Sequence, residues 1–121
     1  MSKTVLTVDD SRTMRDMLRL ALIDAGFDVV QAEDGVQGLE VLQDVRPDVI
    51  ITDINMPRMD GYGFMQGVRA DVQNRAIPIL VLTTESSPEK KVRARDAGAT
   101  GWIVKPFDPQ KLVDAINRVA A

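Results

Sequence analysis

Histidine and cysteine are both missing from this 121-residue chain. Without imidazole there is no His-based catalytic triad, no zinc site of the usual kind and no phosphohistidine of the chain's own. Without thiols there are no disulfides and no thiolate metal centre, a usage most compatible with a reducing compartment. A basic excess is missing too. With a formal net charge of -3 and a pI near 4.9, the chain offers no basic stripe for nucleic acid and no polybasic patch for a membrane surface. Long apolar runs are absent: the N-terminus has no signal-peptide core and nothing approaches a membrane span, so a cytoplasmic location is expected. No repeat, low-complexity tract or linker interrupts the chain. What is there, 45% apolar and 27% charged residues, suits one globular domain over 1–121 with no room for a second.

Apolar runs suited to five strands occur at Val5 to Val8, Val29-Val30, Val49 to Thr52, Ile79 to Thr83 and Trp102 to Val104. Helical patterns lie between them. The first places Met14, Met17, Leu18, Ala21 and Ala25 on one face and ends at Gly26. A second, near Val36 to Val45, carries Leu39 and Leu42 and stops before Pro47. A third, near Tyr62 to Val72, carries Met65, Val68 and Val72. The fourth, Pro88 to Ala97, is capped by Ser86 or Ser87 and Gly98, yet turns only Val92 and alanines inward, so weak anchoring is expected. The last has Asp108 as N-cap, Pro109 at its first position, and Leu112, Val113, Ile116 and Val119 facing inward. Strict alternation with short connections implies right-handed βαβ units and an α/β domain with helices on both faces of a parallel sheet.

Acidic residues close two of the strand-like runs: Asp9 and Asp10 after Val8, and Asp53 after Thr52. In an open α/β sheet the carboxyl ends of the strands border the ligand crevice, so these carboxylates converge there. Two like charges about 4 Å apart repel by roughly 4 kcal/mol at an effective dielectric near 20, and the cluster must take up a cation or a proton. A divalent metal is the natural partner. Taken singly, Asp9 or Asp10 reads as a helix N-cap and Asp53 as a turn residue; the adjacent pair together with Asp53 reverses that preference.

Asp9-Asp10, Asp53 followed by Ile54-Asn55-Met56-Pro57-Arg58-Met59-Asp60-Gly61, Thr83-Thr84 and Lys105-Pro106-Phe107 together resemble the receiver domains of two-component response regulators. The resemblance spans the chain and is greatest to the stand-alone chemotaxis members. It implies a flavodoxin-like (βα)5 fold with strand order 2-1-3-4-5. It also implies Asp53 as phosphoacceptor, and Mg2+ bound by Asp10 directly, by Asp9 largely through water, and by Asp53 and the Asn55 backbone carbonyl. Lys105 would set an ammonium against the phosphoryl group, with a cis Lys105-Pro106 peptide following it that aims the amine into the crevice. Thr83 would donate a hydroxyl to the phosphoryl oxygens, and Trp102 would be the aromatic lever of the switch. Asn55 and Glu85 would modulate hydrolysis of the acyl phosphate.

The implied role is a monomeric switch, not an enzyme in the ordinary sense, phosphorylated by a histidine kinase in trans. Its output protein, a flagellar motor switch component, would dock on the face made by the fourth helix, fifth strand and fifth helix. Lys90, Lys91, Arg93 and Arg95 make the fourth helix basic and suit an acidic partner segment. A phosphorelay intermediate or a non-chemotactic single-domain regulator is the alternative within the family. Outside it, a magnesium-dependent phosphatase is opposed by Asn55, where that chemistry needs an acid/base aspartate. A nucleotide binder is opposed by Asp9 and Asp10, where a phosphate cradle needs glycine and backbone donors. The chain departs from the family at Thr84, bulkier than usual beside the switch threonine, and at Trp102, where tyrosine or phenylalanine is usual.

Overall fold

β-branched and aliphatic residues alternate their side chains between two apolar layers, and this alternation organises the molecule. The computed structural model describes residues 2–120. Its strands are β1 (Thr4–Val8), β2 (Asp28–Ala32), β3 (Val49–Thr52), β4 (Ile79–Thr83) and β5 (Gly101–Val104), all parallel in the order β2-β1-β3-β4-β5. Between and after them lie α1 (Arg12–Asp24), α2 (Gly35–Val41), α3 (Gly61–Ala70), α4 (Pro88–Ala97) and α5 (Pro109–Val119). This is the α/β architecture that the alternating pattern predicts, in the flavodoxin-like strand order that the family resemblance implied.

Leu6, Val8, Ile50, Ile79 and Val81 meet Phe64, Met65 and Val68 of α3 and Ala94 and Ala97 of α4 on one face. Their neighbours Val5, Val49, Ile51, Leu80 and Leu82 meet Leu18 and Leu22 of α1 and Leu112 and Ile116 of α5 on the other. Each fully buried side chain of this size contributes about 1.5–3 kcal/mol, so the two layers hold the strand ends in place. Gly38 and Gly67 lie in helix interiors, where glycine costs about 1 kcal/mol relative to alanine. Their use is packing: a Cβ on Gly38 would lie 2.6 Å from Phe64 Cε1, and one on Gly67 2.9 Å from Leu39 Cδ1. The two helices α2 and α3 therefore approach more closely than side chains would allow.

Several helix details differ from the sequence expectation. In α1 the buried residues are Leu18 and Leu22, while Met17 and Ala25 are exposed. Pairing Leu18 with Leu22, four residues on, selects a face rotated from the one that Met17 would define. α2 ends at Val41, and Leu42 caps it ahead of a turn through Asp44, well before Pro47. α3 stops at Ala70 and Val72 is exposed beyond it. In α4, Val92 is 46% exposed, so only Ala94 and Ala97 are buried. Two small side chains supply little apolar area, and α4 is the thinly anchored helix that its sequence suggested. In α5, Leu112 and Ile116 are buried, with Val113 and Val119 only partly so.

Candidate functional site at the carboxyl rim of the sheet

Strand register brings the site together. Val8 pairs with Thr52, so the next residues, Asp9 and Asp53, leave the sheet side by side, and the Asp53 N–H donates to the Val8 carbonyl at 3.0 Å. Thr52 pairs with Val81, and Thr83 with Val104, which carries Thr83 and Lys105 to the same rim. The period of two divides the set. Trp102 packs with the α3/α4 layer and Ile103 with the α1/α5 layer. Asp9, Asp53 and Lys105 follow residues of the α3/α4 parity and converge, whereas Thr83 continues that parity toward α4.

Lys105 Nζ donates to Asp9 Oδ2 at 2.9 Å and to Asp53 Oδ2 at 2.8 Å. The peptide after Lys105 is cis, as the resemblance implied. Asp9 is only 2% exposed. Burial pushes its carboxyl above the usual carboxylate range, and the Ser11 N–H and Lys105 oppose this without cancelling it. For Lys105, burial alone would weaken the ammonium, but the hydrogen bonds it donates to Asp53 and Asp9 outweigh it and hold its pKa above the usual lysine value. The bridging cation thus stays charged throughout the neutral range.

Asp9, Asp10 and Asp53 offer carboxylate oxygens that lie within 4.8 Å of one another. Their bonding differs in a way that suits a hard oxygen-seeking cation. Asp9 already accepts from Ser11 N–H and Lys105, and Asp53 from Ile54 N–H at 2.7 Å and Lys105. The Asp10 carboxylate accepts no hydrogen bond among the described residues and stands exposed at the mouth. An engaged Asp9 and a free Asp10 fit the division between water-mediated and direct contact expected for magnesium. Behind them, Arg15 Nη1 donates to the Asp9 carbonyl at 2.7 Å. Asp60 caps α3 by accepting from Gly63 N–H at 2.9 Å, and Gly61 is required because a Cβ there would collide with the Asp53 carbonyl oxygen.

On the α4 side, Glu85 joins the remaining candidates. Its N–H donates to Thr83 Oγ1 at 3.4 Å, its carbonyl accepts from Trp102 Nε1 at 3.1 Å, and its carboxylate accepts from Lys90 at 2.8 Å. Asn55 Nδ2 lies 3.5 Å from the same Glu85 oxygen. Lys90 is the main reason that the Glu85 carboxyl is held below the usual range. Glu85 is therefore a junction rather than a solvated loop acid. Thr83 is fully buried, and Trp102 is half-buried against the α3/α4 core.

Sequence reasoning missed Lys90 and Arg15 as supports and passed over Asp34 with Arg58. Arg58, at a left-handed φ of 64°, donates from Nε to Asp34 Oδ2 at 2.8 Å and from Nη2 to Asp34 Oδ1 at 3.1 Å. Asp34 also caps α2 through Gln37 N–H. The available signal was Asp34-Gly35 ahead of an apolar-periodic helix, an N-cap pattern. Nothing in the sequence pointed across to Arg58. Of the four basic residues of α4, Lys90 is spent on Glu85 and Arg93 lies over the Tyr62 ring at 3.9 Å, leaving Lys91 and Arg95 as the outward cations.

Known proteins carry the same framework. The chain is 43% identical over 118 residues to chemotaxis protein CheY1 of Helicobacter pylori, covering 95% of this chain and 94% of the relative. The solved structure of CheY4 of Vibrio cholerae superposes with a TM-score of 0.94 at 49% identity, over 98% of this chain and 99% of that one. The receiver domain of a sensor histidine kinase from Pseudomonas aeruginosa, solved with a magnesium ion in its active site cleft, gives a TM-score of 0.92 at 26% identity, over 99% of this chain and 98% of its own. The response regulator receiver domain family matches residues 5–117, a span that takes in every rim residue described above. With its fold, strand order and likeness to these relatives in agreement, the chain belongs to the response regulator receiver domain family.

Proposed function

We propose that this protein is a phosphoacceptor switch, modified on Asp53 by a histidine kinase in trans. The observation that carries the reading is the single ammonium of Lys105 joining Asp9 to Asp53, with Asp10 beside them. In the reaction an Asp53 carboxylate oxygen attacks phosphorus, a P–O bond forms, and the P–N bond to the donor imidazole breaks, with the imidazole leaving. Asp10, Asp53 and the Asn55 carbonyl would hold Mg2+, with Asp9 acting through water. Bound there, the ion would supply positive charge against the phosphoryl oxygens. Lys105 supplies a second positive charge from the protein and keeps Asp53 oriented. The kinship to a receiver that holds magnesium in its cleft supports the choice of ion.

The switch follows from the groups around Glu85. Thr83 now accepts from Glu85 N–H, and a new phosphoryl oxygen gives its hydroxyl a stronger acceptor. Turning Thr83 toward Asp53 releases the Glu85 amide, and the Glu85 carbonyl passes the displacement to the Trp102 indole. α4, held by few apolar contacts, is the element with least to lose by moving. Reversing a 1:99 population to 99:1 takes about 5.5 kcal/mol, which Thr83 and Lys105 must largely provide through contacts made only in the modified state.

Output is assigned to the face made by α4, β5 and α5, with Lys91 and Arg95 meeting an acidic partner segment. The names of the relatives support a role in chemotaxis, and we assign a flagellar motor switch protein as that partner. A cytoplasmic, monomeric protein suits this role, and no helix among the described residues is long and apolar enough to cross a membrane. Asn55 and Glu85 then set the phosphoryl lifetime from the mouth. Incubation with magnesium and acetyl phosphate is expected to place one phosphoryl group on the wild-type protein and none on Asp53→Ala. Equal stoichiometric labelling of that variant would defeat the assignment.

A further inference from the structure

We infer that Lys90 is a positioning residue for phosphoryl donors: it neutralises and parks the Glu85 carboxylate, keeping the mouth of the Asp53 site open to an anion. The inference rests on the phosphoacceptor reading and extends it to a residue of α4. Glu85 reaches the mouth beside Asn55, two residues after Asp53, with Asn55 Nδ2 3.5 Å from Oε1. Before phosphorylation its main chain is tied at both ends, the N–H donating to Thr83 Oγ1 and the carbonyl accepting from the Trp102 indole. The side chain is what can move, and Lys90 Nζ at 2.8 Å from Oε1 decides where it rests.

The charges at the mouth explain why this matters. Asp9, Asp10 and Asp53 contribute three carboxylates and Lys105 one ammonium. Glu85 would add a fourth negative charge directly on the approach path, and every phosphoryl donor is itself an anion. An exposed ion pair of this kind contributes little to stability, because solvent screens it and ordering two long side chains costs entropy. Its electrostatic effect on encounter is not limited in that way, since a charge near an entrance alters the local concentration of a charged reactant. Lys90 is half-exposed and its backbone N–H is capped by Ser87 Oγ, so replacing its side chain leaves the start of α4 intact.

The test measures the second-order rate of phosphorylation by acetyl phosphate, with saturating magnesium, for wild type, Lys90→Ala, Lys90→Arg, Glu85→Gln and the Lys90→Ala/Glu85→Gln double variant. In this transfer the phosphoryl–acetate P–O bond breaks, acetate leaves, and the new P–O bond is to Asp53. Lys90→Ala is expected to slow the reaction about threefold or more at low ionic strength, with the loss fading as salt screens the mouth. Lys90→Arg should retain the wild-type rate, and most of the loss should vanish in the Glu85→Gln background. A merely structural role would produce neither the salt dependence nor this dependence on Glu85. Equal rates for wild type and Lys90→Ala at low salt, or an equal loss in both Glu85 backgrounds, would overturn the inference while leaving Asp53 as acceptor. A wild-type protein that takes no label would instead remove the phosphoacceptor reading and this inference with it.

Discussion

Replacing Lys105 with methionine removes the one ammonium between two carboxylates while keeping an unbranched apolar stem. Its side chain is 11% exposed, those of Asp9 and Asp53 are 2% and 12% exposed, and the two contacts measure 2.9 and 2.8 Å. Breaking a buried pair by deleting one partner costs about 3–5 kcal/mol, because the other charge stays buried and unpaired. Two effects reduce that cost here: burial of the ammonium is relieved, and Asp9 can take up a proton. A loss of about 2–4 kcal/mol at pH 7 in EDTA is therefore expected in urea unfolding.

The pH dependence has a definite sign. Burial raises the folded Asp9 carboxyl above its unfolded value near 3.8, and Lys105 is among the groups opposing that rise. In the variant the rise is larger. Between the unfolded and folded values the native state binds more protons than the unfolded chain, so stability falls as pH increases. The deficit should be smallest below pH 3.8 and grow as pH rises through the folded Asp9 value. Lys105 and a divalent ion would both offset the charge of Asp9 and Asp53, so Lys105→Met should bind magnesium more tightly than wild type and recover part of its stability in saturating magnesium. Unchanged or increased stability in EDTA at pH 7 would refute Lys105 as the counter-charge of this cluster.

Further predictions concern the supports and the lever. Arg58→Ala should destabilise the protein at neutral pH. The Arg58 hydrogen bonds hold the Asp34 carboxyl below its usual value near 3.8, so the gap from wild type should be full above that pH and close as pH falls through the folded value. Gly98→Ala places a Cβ at a left-handed φ of 118° and 2.6 Å from Arg69 Cγ. A loss of about 1–3 kcal/mol is expected by chemical denaturation, since the position suits glycine alone. Trp102 is the only tryptophan, and its indole hydrogen bond to Glu85 makes its fluorescence a report on the switch. Emission should change on adding beryllofluoride with magnesium in wild type and much less in Thr83→Ala.

The rim was legible in sequence because strand ends are punctuated by chemistry. Asp9, Asp53, Thr83 and Lys105 each follow or close a short apolar run, and parallel pairing leaves such positions few places to go. Sheet order was not available from periodicity, which cannot say which strands are neighbours; the family resemblance supplied it. Helix faces were read less well. Met17 and Leu22 are both apolar, and only the packing of Leu22 against the α1/α5 layer decides that Met17 is the one left exposed. The apolar pattern extends the third helix to Val72, which lies past the end of α3, and turns Val92 inward, whereas α4 buries its alanines and leaves Val92 exposed. Long-range polar pairing was the least visible. Asp34 with Arg58 joins positions 24 apart, and Asn55 with Glu85 joins positions 30 apart. Glu85 is tied at once to the distant Asn55 and Trp102 and to its close neighbours Thr83 and Lys90, and no periodic pattern marks such polar ties.

The central claim is that Asp53, among the three clustered carboxylates, takes the phosphoryl group. Reduction of the phosphorylated wild-type protein with borohydride, which converts an acyl phosphate to an alcohol, followed by tandem mass spectrometry locates the acceptor directly. The modification is expected at Asp53 alone. Its appearance at Asp9, Asp10 or a hydroxyl side chain instead would contradict the account.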